Sequence, residues 1–394
     1  MKVLGLIMEI NPLHNGHIYF INQAKALTSP DITIIIMSSS FTMRGETMIM
    51  DKFSRTKLLL EKGADLVFEL PFLSTVNSAD LFGLNSVSIL RDLNVTDISF
   101  GAELRNIEKL KLISNYLNSK EFNTEIQRFI KLGNSYATSA LKALTLLTDD
   151  AEIINNFSLP NNTLAVQYIN AAKKLNYPIN FFPIKRIGNN YYDKTITSKI
   201  ASATAIRELI KNKEPLNKFV PDEVAAYPFK GVNLSEEKIY NFLKFIFIHK
   251  KIDEITNIYG VDEGIENRIS TILNETSNYS SFMEKVVSKR YSYYRIQRTI
   301  LHILLNTPKN LQSKSNYYLR MLGCNDTGLE YINSLPKETK KAIITSVKNL
   351  QNNIVVDYEI KATKLYDLLT NSQTILEEYK IPIKKGDKYV NWFN

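Results

Sequence analysis

Two histidines set three apart, in His14-Asn15-Gly16-His17, follow the apolar run Val3-Leu4-Gly5-Leu6-Ile7-Met8 after the bend Asn11-Pro12-Leu13. The pattern predicts a strand, a short turn and the opening of a helix. Side chains three apart at a helix start lie close to one face. First-turn amides lack intrahelical partners, and the helix dipole favours an anion there. Gly16 has no Cβ, so a ligand can approach its backbone closely. The combination suits a site that binds a nucleoside triphosphate and stabilises charge as a phosphoryl bond breaks. Two such histidines could equally cap the helix or bind a metal. A second candidate is Ser202-Ala203-Thr204-Ala205-Ile206-Arg207. Hydroxyls there open a helix with Arg207 in its first turns, which suits the outer phosphates of ATP. Alone, the same segment reads as a plain N-cap with a surface arginine.

Alternating strands and helices are expected to position these groups. Ile32 to Met37 is a β-branched run of the kind buried on both faces of a sheet. Residues 51–62 predict a helix, with Asp51 near its start and Gly63 just past its end. Leu66 to Leu70 predicts a third strand, ended by Pro71; helical periodicity runs over 77–92; Ile98 to Phe100 predicts a fourth strand, followed by Gly101. Such alternation implies a parallel sheet that binds ligands at the carboxyl ends of its strands. His14, Ser38 to Glu46 and Gly101 all fall at such ends. In the loop Ser38 to Glu46, Arg44 could reach a bound ligand or simply pair with Glu46.

A linker is expected through Lys213-Glu214-Pro215 to Pro221-Asp222, beyond which Gly and Pro become sparse and helical periodicity dominates. The expected division is 1–215 for an ATP-binding α/β domain and 216–394 for a mainly helical one. In the second part, Lys289-Arg290-Tyr291-Ser292-Tyr293-Tyr294-Arg295-Ile296-Gln297-Arg298 interleaves basic and aromatic residues, as RNA phosphate contacts and base stacking require. Ile296, Ile300, Ile303 and Leu304 read as its core face; Arg295, Arg298 and His302 fall on another. A solvated amphipathic helix would show the same pattern.

Composition sets the bounds. The chain has 394 residues, 44% hydrophobic and 23% charged, ordinary values for a globular protein. Its single cysteine, Cys324, excludes an intramolecular disulfide and a Cys-based zinc site. No apolar run is long enough to span a bilayer, and Met1-Lys2 leads straight into the first strand, so a cytoplasmic protein without a membrane partner is expected. The net charge of +9 permits a polyanionic partner without requiring one.

The two phosphate-site candidates together resemble the nucleotidyltransferase superfamily of the HxGH type. The match narrows with Asn11 to His17, Ser40-Phe41-Thr42-Met43-Arg44-Gly45-Glu46, Leu159-Pro160-Asn161-Asn162-Thr163-Leu164, Ile184-Lys185-Arg186-Ile187-Gly188 and Ile200 to Arg207, in that order. This set resembles the bacterial tRNA(Met) cytidine acetate ligase family. The resemblance implies a Rossmann-like nucleotidyltransferase domain followed by a mainly helical domain. It also implies a reaction: ATP and acetate give acetyl-adenylate, and the acetyl group passes to N4 of the wobble cytidine of elongator tRNA(Met). Under it, His14, His17 and Arg207 are the expected catalytic groups. The nucleotide would be held by Ile7, Glu9, Asn11, Pro12, Gly16 and Phe20 around the histidines, with Gly101 at a strand end. Asn161 or Asn162, Arg186, Ile187, Ser202 and Thr204 would complete that pocket. Lys289, Arg290, Tyr294, Arg295 and Arg298 would contact RNA. Mg²⁺ is expected to arrive through substrate phosphates, with no protein ligand assigned.

Ile10 stands where many relatives have an aromatic residue, and Tyr192 where a histidine is expected. Two other readings remain at this point. One is a nucleotidyltransferase that adenylylates a small phosphorylated cofactor precursor. The other is a non-catalytic RNA-binding protein on the same fold.

Overall fold

Ile32–Ser38 is buried along its whole length. Its even residues Ile34 and Ile36 face one apolar cluster, and its odd residues Ile35 and Met37 face another. That period-two split on an all-apolar strand is what a sheet covered on both sides demands. The computed structural model describes residues 1–185, 201–229, 235–311, 316–348, 350 and 352–386.

Among those residues the strands are β1 (Val3–Met8), β2 (Ile32–Ser38), β3 (Leu66–Leu70), β4 (Asp97–Ala102), β5 (Asn180–Lys185), β6 (Leu319–Cys324), β7 (Ile343–Ile344) and β8 (Ile383–Lys384). They form one sheet in the order β5-β4-β1-β2-β3-β6-β7, with β8 also on β6. The pairs from β5 through to β3 are all parallel. The chain moves outward from β1 to β3 and then returns to the other side of β1 at β4. The switch point therefore lies between β1 and β4, where α/β sheets open a crevice at the carboxyl ends of their strands. Helix α1 (Asn15–Thr28) starts there, and α2 (Lys52–Glu61) begins at Asp51, whose carboxylate caps Phe53 and Ser54. Gly5 lets the helix Ala79–Asp92 lie close on β1: a Cβ there would come within 2.8 Å of Leu90.

The N-terminal strands and helices match the expected βαβ pattern. The expected boundary after residue 215, however, does not separate a sheet from a helical body. β6 joins β3 antiparallel, so residues beyond 316 extend the same sheet. The loop after β2 and the segment after β3 also share a core with the C-terminal helices: Phe41, Phe72 and Val76 pack with Ile296, Ile300 and Tyr366. Sequence periodicity cannot reveal this, because strand pairing across some 250 residues leaves no local mark.

A buried ion cluster joins the two halves. Lys52 Nζ lies 2.9 Å from Glu359, 2.6 Å from Glu378, and against Glu69. Arg320 reaches Glu69 at 3.2 Å and Glu378, and the Tyr318 hydroxyl donates to Glu69. Three carboxylates thus share two cations. Burial would raise Glu69, but Lys52 and Arg320 outweigh it and hold its carboxyl at about 2. Glu359 is pushed the other way, by burial and by the neighbouring Glu69 charge.

His302 belongs to the core and not to the basic face expected for it. It is 1% exposed, stacked 4.2 Å from Tyr259 and edge-on to Phe72. Its Nε2–H donates to the Val76 carbonyl at 2.9 Å, which leaves Nδ1 without a partner. The basic face ends before residue 302 because the segment after β3 covers the last turns of this helix.

Two predictions follow from this packing. Lys52→Met leaves buried carboxylates uncompensated and should cost on the order of 3–5 kcal/mol. Glu359→Gln, which removes the surplus charge, should cost far less; urea unfolding of the two variants compares them. Burial lowers the His302 imidazole to about 4. The unfolded chain therefore binds a proton in the window from the ordinary value, near 6.5, down to about 4 that the folded chain does not. Stability should be complete above that window and fall by roughly 3 kcal/mol as pH drops through it. In His302→Gln, thermal melts between pH 7 and 4 should show a correspondingly shallower decline.

Candidate active site

His14 is the N-cap of α1, in extended backbone at φ −143°. Its Nδ1 accepts from the Gly16 amide at 3.0 Å, and the Nδ1 of His17 accepts from the His14 amide at 3.3 Å. The rings stack 3.8 Å apart. With both Nδ1 atoms acting as acceptors, each neutral ring carries its proton on Nε2. The reciprocal cap therefore aligns two N–H donors side by side.

This corrects one expectation. The first-turn amides are not open: Asn15 N–H donates to Phe219 O, Gly16 N–H to His14 Nδ1, and His17 N–H to His14 O. An anion at this terminus meets imidazole donors and the helix dipole.

The second wall comes from the helix Ala203–Lys211, whose N-cap Ser202 accepts from Ala205 N at 3.1 Å. Arg207 donates to the Asn11 carbonyl at 3.0 Å and to Thr204 Oγ1 at 3.3 Å, and it pairs with Glu46 at 3.3 Å. The turn after β1 and the start of this helix are thus directly joined across 196 positions of chain. Asn11 Oδ1 accepts from Ile49 N, but its Nδ2 is buried without a partner among the described residues. Ser38 Oγ and Ser39 Oγ, at the end of β2, are orphaned in the same way. Unpaired buried donors at strand ends are expected where a ligand completes the bonding.

Ile10, between Glu9 and Asn11, has φ +60°. A β-branched residue in the left-handed region is strained and persists only where its surroundings enforce it. The enforcing group is Arg55, fully buried on α2. It donates to the carbonyls of Glu9 (3.0 Å), Ser38 (2.8 Å), Met50 (3.0 Å) and Ser39. Burial draws its guanidinium down to about 10, so it remains charged at neutral pH. Sequence reasoning missed Arg55, because a lone arginine on a helix gives no sign that it turns inward.

The Glu9 side chain points into the same turn. Its Oε1 accepts from the Met43 amide at 2.5 Å. Burial raises its carboxyl; the Met43 bond opposes this, the Glu46 charge adds to it, and Arg44 and Arg207 oppose it.

The other expected nucleotide contacts divide. Ile7 and Phe20 are half-buried, and Pro12 is buried in the turn. Gly101 lies within β4, opposite Ile184. Asn162 is fully buried; its Oδ1 accepts from the amides of Glu103 and Leu104, and its Nδ2 donates to Asn156 O. It braces the end of β4. Asn161, half-buried beside it, donates to Glu103. Arg186 and Ile187, and Tyr192 with them, lie outside the described residues.

The basic helix Tyr293–Leu304 divides as well. Lys289 and Arg290 are exposed just before it, and Arg290 and Arg295 share the carboxylate of Glu263. Arg298 is half-buried, and its backbone meets Gly45 closely: a Cβ on Gly45, at φ +86°, would lie 2.9 Å from Arg298 N. Tyr294 meets the loop after β2. Its hydroxyl accepts from Arg44 Nη1 at 2.9 Å, and the guanidinium lies 4.4 Å from its ring centroid. Glu46 is engaged with Arg207.

The fold and much of the sequence are shared with known proteins. A family profile described as HIGH Nucleotidyl Transferase matches residues 1–380. The tRNA(Met) cytidine acetate ligase of Thermosipho africanus is 37% identical, over 93% of this chain and 90% of its own. That of Staphylococcus haemolyticus is 33% identical, over 97% and 98%. Crystal structures of Thermotoga maritima TmcAL superpose with a TM-score of 0.87 in an apo form (30% identity, 98% of this chain and 99% of that one). The form bound with alpha-thio ATP gives 0.84 (29% identity, 98% and 99%). The fold is thus shared with solved relatives over almost the whole length, and the chain belongs to the tRNA(Met) cytidine acetate ligase family of HIGH-type nucleotidyl transferases.

Proposed function

We propose that this chain is an ATP-dependent acetate ligase that forms acetyl-adenylate and transfers the acetyl group to N4 of the wobble cytidine of elongator tRNA(Met), giving N4-acetylcytidine. The observation that supports the reading is the stacked imidazole pair capping α1, after the turn whose Asn11 carbonyl accepts from Arg207 of the Ser202-capped helix. Acetate attacks the α-phosphorus of ATP, the bond to the β-phosphate breaks, and pyrophosphate departs. The negative charge that builds on the α-phosphate falls to His14 and His17, whose donors the cap has already aligned. Arg207 and Thr204 suit the pyrophosphate portion, and Mg²⁺ would neutralise the same phosphates. Arg207 already holds the Asn11 carbonyl and Glu46, so it is oriented before substrate arrives.

Lys289 and Arg290 form the exposed part of the RNA-facing surface. Tyr294 and Arg44 link it to the active site, since Arg44 lies on the same loop as the Met43 amide bound to Glu9.

The test separates chemistry from capping. His14→Ala removes a helix cap, at a cost of about 1 kcal/mol in stability. His14→Asn keeps an N-cap acceptor and loses only the imidazole. Acetate-dependent ATP–pyrophosphate exchange should fall on the order of 10²–10³-fold in His14→Asn and in His17→Ala. Near-normal exchange in a folded His14→Asn variant would exclude the assigned role. Exchange that requires a nucleotide-like acceptor instead of acetate would indicate a different nucleotidyltransferase.

The RNA surface has its own check. Lys289→Ala/Arg290→Ala should weaken tRNA binding and flatten the salt dependence of its affinity, by roughly one unit of log–log slope per lost phosphate contact. Unchanged affinity and slope would place the RNA surface elsewhere.

A further inference from the structure

The transfer half of the reaction has a demand that adenylation lacks. Acetate reacts as an anion and releases no proton. The exocyclic amine of cytidine is a poor nucleophile, because its lone pair is delocalised into the ring. As its nitrogen bonds to the acetyl carbon it must lose a proton, and a positioned base contributes typically 10²–10⁴-fold to such a step.

The groups at this end of the sheet can be taken in turn. Each Nδ1 of His14 and His17 accepts a backbone N–H, so each ring carries its proton on Nε2 and is arranged to donate. The Glu46 carboxylate is paired with Arg207. Asp51 caps α2 and accepts from the Tyr227 hydroxyl. The Glu103 carboxylate accepts from the Asn161 side chain and the Asn162 amide. Among the described residues, Glu9 differs from all of these. It is half-buried, and the Met43 amide engages Oε1 of its carboxylate. It precedes the histidine-bearing turn in the chain and is tied through the Met43 amide to the loop whose Arg44 reaches Tyr294 on the helix Tyr293–Leu304.

We propose that Glu9 is the proton acceptor for the exocyclic amine of the acceptor cytidine, a role that rests on the acetate-ligase reading above. In this step the amine nitrogen bonds to the acetyl carbonyl carbon. The bond from that carbon to the phosphate oxygen of AMP breaks, and AMP leaves with the electron pair. One proton passes from the amine to the free carboxylate oxygen of Glu9. No other reactant is needed. Four charged or titratable groups bear on the carboxylate: Glu46 and Arg44 from the loop after β2, Arg207 from the helix at 203–211, and Tyr168 from the helix at 160–174. Burial sets the Glu9 carboxyl above its ordinary range, closer to the working pH of a base.

The decisive variant is Glu9→Gln, which keeps the size of the side chain and an oxygen to accept from Met43 N–H. Two rates are compared: single-turnover transfer from supplied acetyl-adenylate to a tRNA(Met) transcript, and acetate-dependent ATP–pyrophosphate exchange. Because Glu9 is also an expected nucleotide contact, exchange can fall as well, but transfer should fall about 100-fold or more beyond that loss. In the parent chain, transfer should rise with pH through the Glu9 ionisation, and that acid limb should vanish in Glu9→Gln. Glu9→Asp should restore part of the rate. Equal losses in transfer and exchange would make Glu9 part of the adenylation site and overturn the proposal. So would transfer that survives in Glu9→Gln, which would leave Glu9 only a tie to the loop, or an acid limb that persists there. A parent chain that exchanges with acetate but never acetylates tRNA would overturn the proposed function itself, a failure visible before any variant is made.

Discussion

One guanidinium holds the active site in shape. Arg55 places a full positive charge where the carbonyls of Glu9, Ser38, Ser39 and Met50 converge. These belong to the ends of β1 and β2 and to the segment before α2, pieces that would otherwise be loosely related loops. Four carbonyl dipoles aimed at one point repel one another; a buried cation turns that repulsion into a joint. It also fixes the Glu9–Ile10 peptide, which explains how a β-branched residue can sit at φ +60°. The strain at Ile10 turns the chain so that Asn11 faces Arg207 and His14 begins α1.

The histidine pair shows how a cap can become a reagent. A serine or aspartate at the N-cap would satisfy the same amide. With imidazole at both cap positions, accepting at Nδ1 and donating at Nε2 are two ends of the same ring. Satisfying the helix start therefore orients the donors, and little reorganisation is left for the transition state. The first-turn amides are consumed in the process, so the anion site here rests on side chains more than on open backbone.

The loop after β2 connects the two chemistries. From four consecutive residues it supplies Met43 N to Glu9, Arg44 to Tyr294, Gly45 to the backbone of Arg298 and Glu46 to Arg207. Movement of the helix Tyr293–Leu304 would be felt at Glu9 and Arg207 through these contacts. The buried Lys52–Glu69–Glu359–Glu378–Arg320 cluster limits such movement, because separating the halves would strand charges in a low-dielectric interior.

Local pattern determined a good deal of this protein. The strand–bend–HxGH order placed His14 and His17 at a helix start, and Ser202 to Arg207 appeared as a hydroxyl-opened helix. β-branched runs marked the parallel strands. These signals are legible because strand burial and helix capping depend on residues a few positions apart. Tertiary structure alone decided the rest. Arg55 turned inward, Asn162 became a brace, and His302 left the basic face for the core. Arg298 sank against Gly45, and β6 crossed the expected domain boundary to join β3. Each of these turns on partners tens to hundreds of residues away. A side chain's burial and protonation are set by what finally surrounds it, and spacing along the chain does not carry that information.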